Sequence, residues 1–198
     1  MSAPNAAPTP ELSALATAAA NSGPDGGALA RFVERFYARV PQEDLALRPA
    51  EAWLAVARDM LAFAAGRAAG APKLRLVNPE TAPQGFGSSP TVLQIANDDM
   101  PFLVDSVSMA LAERGIGIHL LVHPVIERES MMHIEIDRQA PEDFAAIEQA
   151  IESALGDVRL CVQDWAAMRD IMLRAADELA TRALPVNDVA RAESQDFL

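Results

Sequence analysis

The sequence has 198 residues, of which 51% are hydrophobic, and it carries a formal net charge of -12 with an isoelectric point near 4.6. This length allows one buried core, and the acidic balance disfavours nucleic acid or an anionic membrane as a partner, because phosphate binding needs a basic face. Cys161 is the only cysteine, which excludes a disulfide framework within the chain and fits a reducing compartment. No apolar run reaches the roughly 18 residues of a membrane helix. We therefore expect a cytoplasmic protein with one main core.

The first part of the chain predicts a mobile tail followed by two helices. Residues 1–27 are rich in Ala, Pro, Ser, Asn and Gly, a composition that favours disorder. From Leu29 large apolar residues recur at helical spacing, and a second pattern of this kind follows Pro49. We therefore predict a helical hairpin over residues 28–70, with Gly66 near its end.

Residues 71–184 predict a sheet domain. From Pro90 onward the patterns give the order strand, helix, strand, strand, helix, strand. This order predicts an α+β fold of the ferredoxin-like βαββαβ type, an antiparallel sheet with both helices on one face. The predicted strands are 91–96, 116–126, 131–137 and 158–162, after a short candidate at 73–78, and the predicted helices are 100–114, 141 to about 156, and one from 164 that stops before Pro185. Residues 185–198 are expected to link this domain to a downstream region.

Four stretches of the sequence resemble the opening domain of the large bacterial NAD-specific glutamate dehydrogenases. They are NDDMPFLVDSVSMAL at 97–111, GIGIHLLVHPV at 115–125, MHIEIDR at 132–138 and VQDWAAMR at 162–169. The resemblance spans about residues 30–180. It implies an ACT-like domain, a module that commonly binds amino acids and pairs its sheets between subunits.

The resemblance also implies a division of labour within a longer enzyme. The full-length protein would oxidise L-glutamate to 2-oxoglutarate and ammonium with NAD, while this N-terminal piece would hold no catalytic residue, cofactor or metal and would serve regulation or assembly. In agreement, the sequence has no G-x-G-x-x-G after a strand, and Lys73 is its only lysine. The implied partners are downstream domains, other copies in a homo-oligomer and an amino-acid effector.

Two other classes of function remain open. A free-standing ACT-type amino-acid sensor is the alternative, and the length of the full reading frame would separate it from the enzyme. An independent hydrolase lacks a nucleophile motif such as G-x-S-x-G, and an assay of the chain alone would decide that case.

A loop between the first strand and first helix of the predicted βαββαβ unit is the candidate effector or interface site. It consists of Asn97, Asp98, Asp99, Met100, Pro101 and Phe102. ACT ligand loops resemble Asp-x-Pro-Gly here, and Phe102 occupies the glycine position, so we predict weak or no amino-acid binding. Asp98 and Asp99 are interpreted as helix caps, with an ammonium ligand as the alternative. The Phe102 ring either packs under the sheet edge or against a partner subunit, or stays exposed.

Histidines and carboxylates are predicted to share sheet faces. Strand parity puts His119 with His123, and His133 with Glu135 and Asp137 on the neighbouring strand. A solvated or interface surface is the favoured interpretation, and a metal site is the alternative.

The last helix and the single cysteine are interpreted as structural. Trp165 and Met168 recur at helical spacing, which favours a core over a partner groove. Cys161 has no basic neighbour in sequence and is expected to be a buried, inert thiol.

Overall fold

The computed structural model describes residues 8–80, 89–181 and 187–197. It forms two compact units, Met1–Leu155 and Gly156–Leu198. The helices are α1 (Pro10–Ala20), α2 (Gly26–Phe36), α3 (Gln42–Leu45), α4 (Ala50–Ala64), α5 (Leu103–Ala112), α6 (Phe144–Thr181) and α7 (Asp188–Phe197). The strands are β1 (Lys73–Val77), β2 (Thr91–Asp98), β3 (Ile118–Val122), β4 (Val125–Ile126) and β5 (Glu129–Ile136).

Helix α1 corrects the prediction of a mobile tail. The tail prediction is wrong for residues 10–20, where Leu12, Leu15, Ala16 and Ala19 are buried along one face, and residues 1–7 lie outside the described residues. Pro10 stands in the first turn, where its missing N–H costs nothing, and the Thr9 hydroxyl accepts a hydrogen bond from the Leu12 N–H at 3.3 Å. The apolar spacing therefore outweighs the overall composition.

The strands form one antiparallel sheet in the order β1-β2-β5-β3, with β4 paired to β5. The β4–β5 hairpin turns through Glu127 and Arg128, which have φ values of 53° and 70°. Two successive positive φ values are the mark of a type I′ turn, whose twist matches that of the flanking strands. The α+β antiparallel fold predicted from the sequence is confirmed.

Helices cover both faces of this sheet. We call helices α1, α2 and α4 the helical layer. They form one core with Val92 and Ala96 of β2 and Met131 of β5. Alternate residues of β2 and β5 point the other way and are also buried, as are residues of α5 and the start of α6. These residues are Leu93, Ile95, Met132, Ile134, Ile136, Leu103, Val107, Leu111, Ile147 and Ile151. The predicted hairpin region is thus part of the sheet's own core and not a separate domain.

The predicted last strand, 158–162, is wrong, because these residues lie within α6. Gly156 does not end that helix, and a Cβ placed there would meet nothing within 4 Å. The edge position beside β2 is filled by β1 instead, which pairs with it antiparallel. Short apolar runs fit a strand and a buried helix equally well, so periodicity alone could not separate the two. Residues 188–197, predicted as part of a linker, are helical as well.

Candidate functional site

The loop between β2 and α5 has a residue in the left-handed conformation that glycine usually adopts, but this residue is not a glycine. Phe102 is the N-cap residue of α5 with φ 69° and ψ 1°, and its side chain is 65% exposed. Only glycine adopts this left-handed conformation without a steric cost. Within the single chain the Phe102 ring is exposed and does not pack under the sheet edge, and packing against a partner subunit stays a prediction. The Phe102 side chain makes no capping hydrogen bond and Asp98 is bound elsewhere, so the interpretation of Asp98 as a helix cap is wrong.

Asp98 is instead held by the segment that follows α4. One carboxylate oxygen accepts a hydrogen bond from Arg67 Nη2 at 2.8 Å, and the other accepts the Gly70 N–H at 2.9 Å. Arg67 has a side chain that is only 8% exposed, and its Nε also donates to Glu129 of β5. One buried guanidinium therefore joins the ends of β2 and β5 to the helical layer. These contacts compete with any ammonium group that Asp98 would have to bind.

We expect Phe102→Gly to raise the free energy of unfolding by about 1 kcal/mol, because it removes a left-handed non-glycine residue while losing little burial. Urea unfolding would measure the difference. Met109→Gly is the matched control, since Met109 is 62% exposed in α5 and its replacement should cost about 1 kcal/mol of helix propensity. Equal losses in both variants would show that the backbone at Phe102 is not strained.

A second polar group lies between the sheet and the helical layer. Glu135 is 1% exposed, and Arg48 donates to its two oxygens, from Nη1 at 2.5 Å and from Nη2 at 2.6 Å. His133 is fully buried, with Nε2 at 3.6 Å from Glu135 Oε1. His133 and Glu135 are therefore not on a solvated surface, and they lie at an interface with the helices of residues 28–70, which is the other alternative favoured from the sequence. The helical layer covers that face, and the bidentate ion pair with Arg48 compensates for burying the Glu135 carboxylate.

Aromatic side chains surround this ion pair. The Arg48 guanidinium lies 5.0 Å from the Trp53 ring centre, and the Trp53 indole N–H donates to the Leu45 carbonyl at 2.9 Å. The Tyr37 hydroxyl donates to the Trp53 carbonyl at 2.8 Å. Burial raises the pKa of Tyr37 well above its ordinary value, so this group serves as a neutral donor. The cluster fixes α2, α3 and α4 to one another and to β5.

The pKa of Glu135 predicts acid sensitivity. Burial alone would raise the pKa, but the hydrogen bonds and charges of Arg48 and His133 outweigh it and lower the pKa from 4.5 to about 2. Because the folded pKa lies below the unfolded one, this contribution to stability is present above pH 4.5 and is lost as the pH falls through about 2. We expect unfolding free energy to fall less steeply below pH 4.5 in Glu135→Gln. Parallel acid profiles of the two proteins would contradict this.

A third polar group, which no pattern in the sequence predicted, connects α4 to β1 and β2. Asp59 Oδ2 accepts hydrogen bonds from Arg75 Nη2 at 2.6 Å and from Gln94 Nε2 at 3.0 Å. Arg75 Nε donates to Gln94 Oε1 at 2.7 Å, which closes the triangle. The available signal was Gln94 itself, a polar residue inside an otherwise apolar strand.

The three histidines have three different surroundings. His119 Nε2 lies 2.8 Å from Asp137 Oδ1, while Asp137 Oδ2 accepts the Gly117 N–H at 2.6 Å. The Gly117 hydrogen bond and then the His119 contact lower the pKa of Asp137. His123 Nε2 lies 2.7 Å from Ser130 Oγ. In the parts of the chain that are described, no three His, Cys, Asp or Glu side chains are placed to hold a metal ion.

The distal half of α6 also departs from expectation. Trp165 is 62% exposed and Met168 is 50% exposed, so their interpretation as core is wrong for this chain. Cys161 is exposed rather than buried. Helical periodicity identified the apolar stripe but could not say whether the chain itself covers it. Within the described ranges, no helix is both long and apolar enough to cross a membrane.

Residues 32–128 match the family described as glutamate dehydrogenase, ACT1 domain. This stretch of the chain belongs to that family. The matched range begins inside α2 and ends in the β4–β5 turn, so it includes the loop from Asn97 to Phe102, the Asp59 cluster and Arg48, whereas Glu135 and His133 lie beyond it.

Two curated relatives of this ACT1-domain chain carry the same name. An NAD-specific glutamate dehydrogenase of Halomonas elongata is 32% identical over 192 residues, covering 84% of this chain and 12% of that protein. One of Pseudomonas aeruginosa is 34% identical over 122 residues, covering 50% of this chain and 8% of that protein. The chain therefore corresponds to a small part of each relative.

Proposed function

We propose that this chain is a regulatory and assembly domain at the N-terminal end of a cytoplasmic NAD-specific glutamate dehydrogenase, and that it supplies no catalytic residue and no cofactor contact. The match to the ACT1 family over residues 32–128 carries this proposal. In the complete enzyme, NAD would accept the electrons released when L-glutamate becomes 2-oxoglutarate and ammonium. The names of the two relatives support this chemistry.

The ion pairs inside the domain support a non-catalytic role. Glu135 and Asp59 are bound by Arg48 and Arg75, and each pair joins a helix or the segment beside it to a strand. These contacts satisfy the charges and hold two layers together. An acid or base for glutamate chemistry would instead have to face a substrate.

The sheet edge supports a role in assembly. Strand β3 ends the strand order, so one side of its backbone can pair with another strand. Ile118 on this strand is 37% exposed. Antiparallel pairing of β3 with its copy would extend the sheet across a two-fold axis. The loop from Asn97 to Phe102 would then act as an interface or effector loop, in contact with another copy or with downstream domains.

The experiment has two parts. The purified chain should form no NADH from glutamate and NAD, and should show no heat of NAD binding by calorimetry. The complete enzyme without residues 1–155 should keep glutamate-dependent NADH formation but change its subunit assembly or its response to amino acids. Glutamate-dependent NADH formation by the purified chain would overturn the proposal. Unchanged assembly and amino-acid response in the truncated enzyme would do the same.

An ACT-type amino-acid sensor that acts without a dehydrogenase is the second candidate. The ACT1 match favours it only in general terms, and the Asp98 contacts count against strong binding of an amino acid at the loop. Titration of the chain with a panel of amino acids distinguishes the candidates. Micromolar binding that Asp98→Asn or Asp99→Asn abolishes would favour the sensor.

A further inference from the structure

A groove of about 570 Å³ lies between the end of α2 and the segment that joins β3 to β4. Its apolar lining includes Phe36, Val40 and Val122, and its charged or ionisable lining consists of Arg35, Arg39, His123 and Glu127. This volume is within the range of small-molecule sites, which combine an apolar wall with a few polar groups. Two arginines against one carboxylate is a local reversal in a protein of net charge -12.

The two arginines at the groove are available to a ligand. Arg35 Nη1 lies 3.5 Å from Glu127 Oε1, but these side chains are 58% and 84% exposed, so water and salt weaken the pair. Arg39 is exposed and forms no ion pair with any residue in the described ranges. Arg35 lies in the last turn of α2 and Arg39 lies in the turn that follows this helix, and both line the groove. Each guanidinium has a planar set of donors that matches a carboxylate.

His123 faces the same space from the sheet side. The contact between its Nε2 and the buried Ser130 hydroxyl, at 2.7 Å, orients the ring. Burial lowers the pKa of His123, the Asp99 carboxylate raises it, and the positive charge of Arg39 lowers it. Arg39 is therefore close enough to act electrostatically on the ring. An anion between them would interact favourably with both groups.

We propose that this groove binds a small organic dianion, and that a short dicarboxylate fits it best. Arg39 and Arg35 would each bind one carboxylate, the apolar wall would contact the connecting methylene groups, and the ring nitrogen of His123 that does not contact Ser130 would donate a further hydrogen bond. Arg35 would exchange its exposed contact with Glu127 for the ligand. None of the residues that line the groove belongs to the loop from Asn97 to Phe102, although Asp99 of that loop acts electrostatically on His123. It does not rest on the proposed regulatory role, because binding is a property of the chain itself.

Calorimetric titration of the whole chain with succinate tests the proposal. We expect saturable binding that Arg39→Gln weakens roughly 10- to 100-fold, the effect of losing a charged hydrogen-bonding partner. Arg58→Gln is the matched control, because Arg58 is exposed on α4, outside the groove, and should leave the affinity unchanged. Thermal melts would verify that both variants are folded. Absence of saturable succinate binding, or equal affinity in Arg39→Gln and the wild type, would overturn the proposal.

Three further ligands test the chemical class. Acetate, with one carboxylate, should bind much more weakly than succinate, and glutamate should bind more weakly because its ammonium would face Arg35 and Arg39. Inorganic phosphate separates a compact anion from an extended dicarboxylate. Phosphate or acetate binding more tightly than succinate would overturn the dicarboxylate assignment. The NMR signal of the His123 ring should move on addition of succinate, and an unmoved signal under saturation would place the ligand elsewhere.

Discussion

Arg48→Met is expected to lower the free energy of unfolding by about 3–5 kcal/mol, because it leaves the buried Glu135 carboxylate without its partner. Methionine keeps much of the length and apolar surface of the arginine stem, so the loss would report mainly on the charge and its two hydrogen bonds. The variant also removes the contact between the guanidinium and the Trp53 ring. Urea unfolding at neutral pH measures the difference.

Two comparisons make the Arg48 result specific. Arg58→Met changes an exposed arginine on α4 and should alter stability by less than about 0.5 kcal/mol. Adding Glu135→Gln to Arg48→Met should recover part of the loss, since the uncompensated charge is gone. If Arg48→Met cost no more than Arg58→Met, water would have to reach Glu135, contrary to its 1% exposure.

Trp53→Ala is expected to cost about 3–5 kcal/mol, the usual range for truncating a buried aromatic side chain. Trp53 is 2% exposed, its ring packs edge-on against Tyr37 at 5.2 Å between ring centres, and its indole N–H binds the Leu45 carbonyl. The variant would open a cavity between α2 and α4 and leave that carbonyl without its donor. Thermal and urea unfolding should both show the loss.

Trp165 provides the control within the same chain, because it is the only other tryptophan and is 62% exposed. Trp165→Ala should change stability by less than about 0.5 kcal/mol when the chain is studied alone. Tryptophan fluorescence adds a second comparison, since removing Trp53 should abolish most of the change in emission on unfolding. A larger loss for Trp165→Ala than for Trp53→Ala would reverse the assignment of the core.

The fold was predictable where a hydrophobic pattern was compatible with only one type of secondary structure. Helical spacing from Leu29 and after Pro49 gave α2 and α4, and strand alternation gave β2, β3 and β5. The apolar run at 158–162 was compatible with either a strand or a helix. Which of the two forms depended on whether β1 already occupied the sheet edge beside β2. Pairing between segments far apart in sequence decides that question, and no local window contains it.

The candidate site was harder to predict for a related reason. His133 and Glu135 look like the outer face of a two-layer domain, and only the position of Arg48 and Trp53 over that face turns them into core. The loop at Phe102 was correctly predicted to lie between a strand and a helix, but its Asp98 is bound by Arg67 and the Gly70 N–H, which come from another part of the chain. The parity and spacing of residues predict on which face of a strand a side chain lies and where a turn occurs. Which side chains meet across two layers depends on how the layers pack.

The place of β1 in the sheet has a consequence for synthesis on the ribosome. Every strand of the sheet lies at or before Ile136, so pairing can be completed before the distal half of α6 has been made. Domains generally fold as units in the order of translation. Had the edge strand come after α6 began, as the βαββαβ order predicted, β2 would have remained open along one side while the nascent chain grew. The early edge strand shortens the time during which that side can pair with a neighbouring nascent chain.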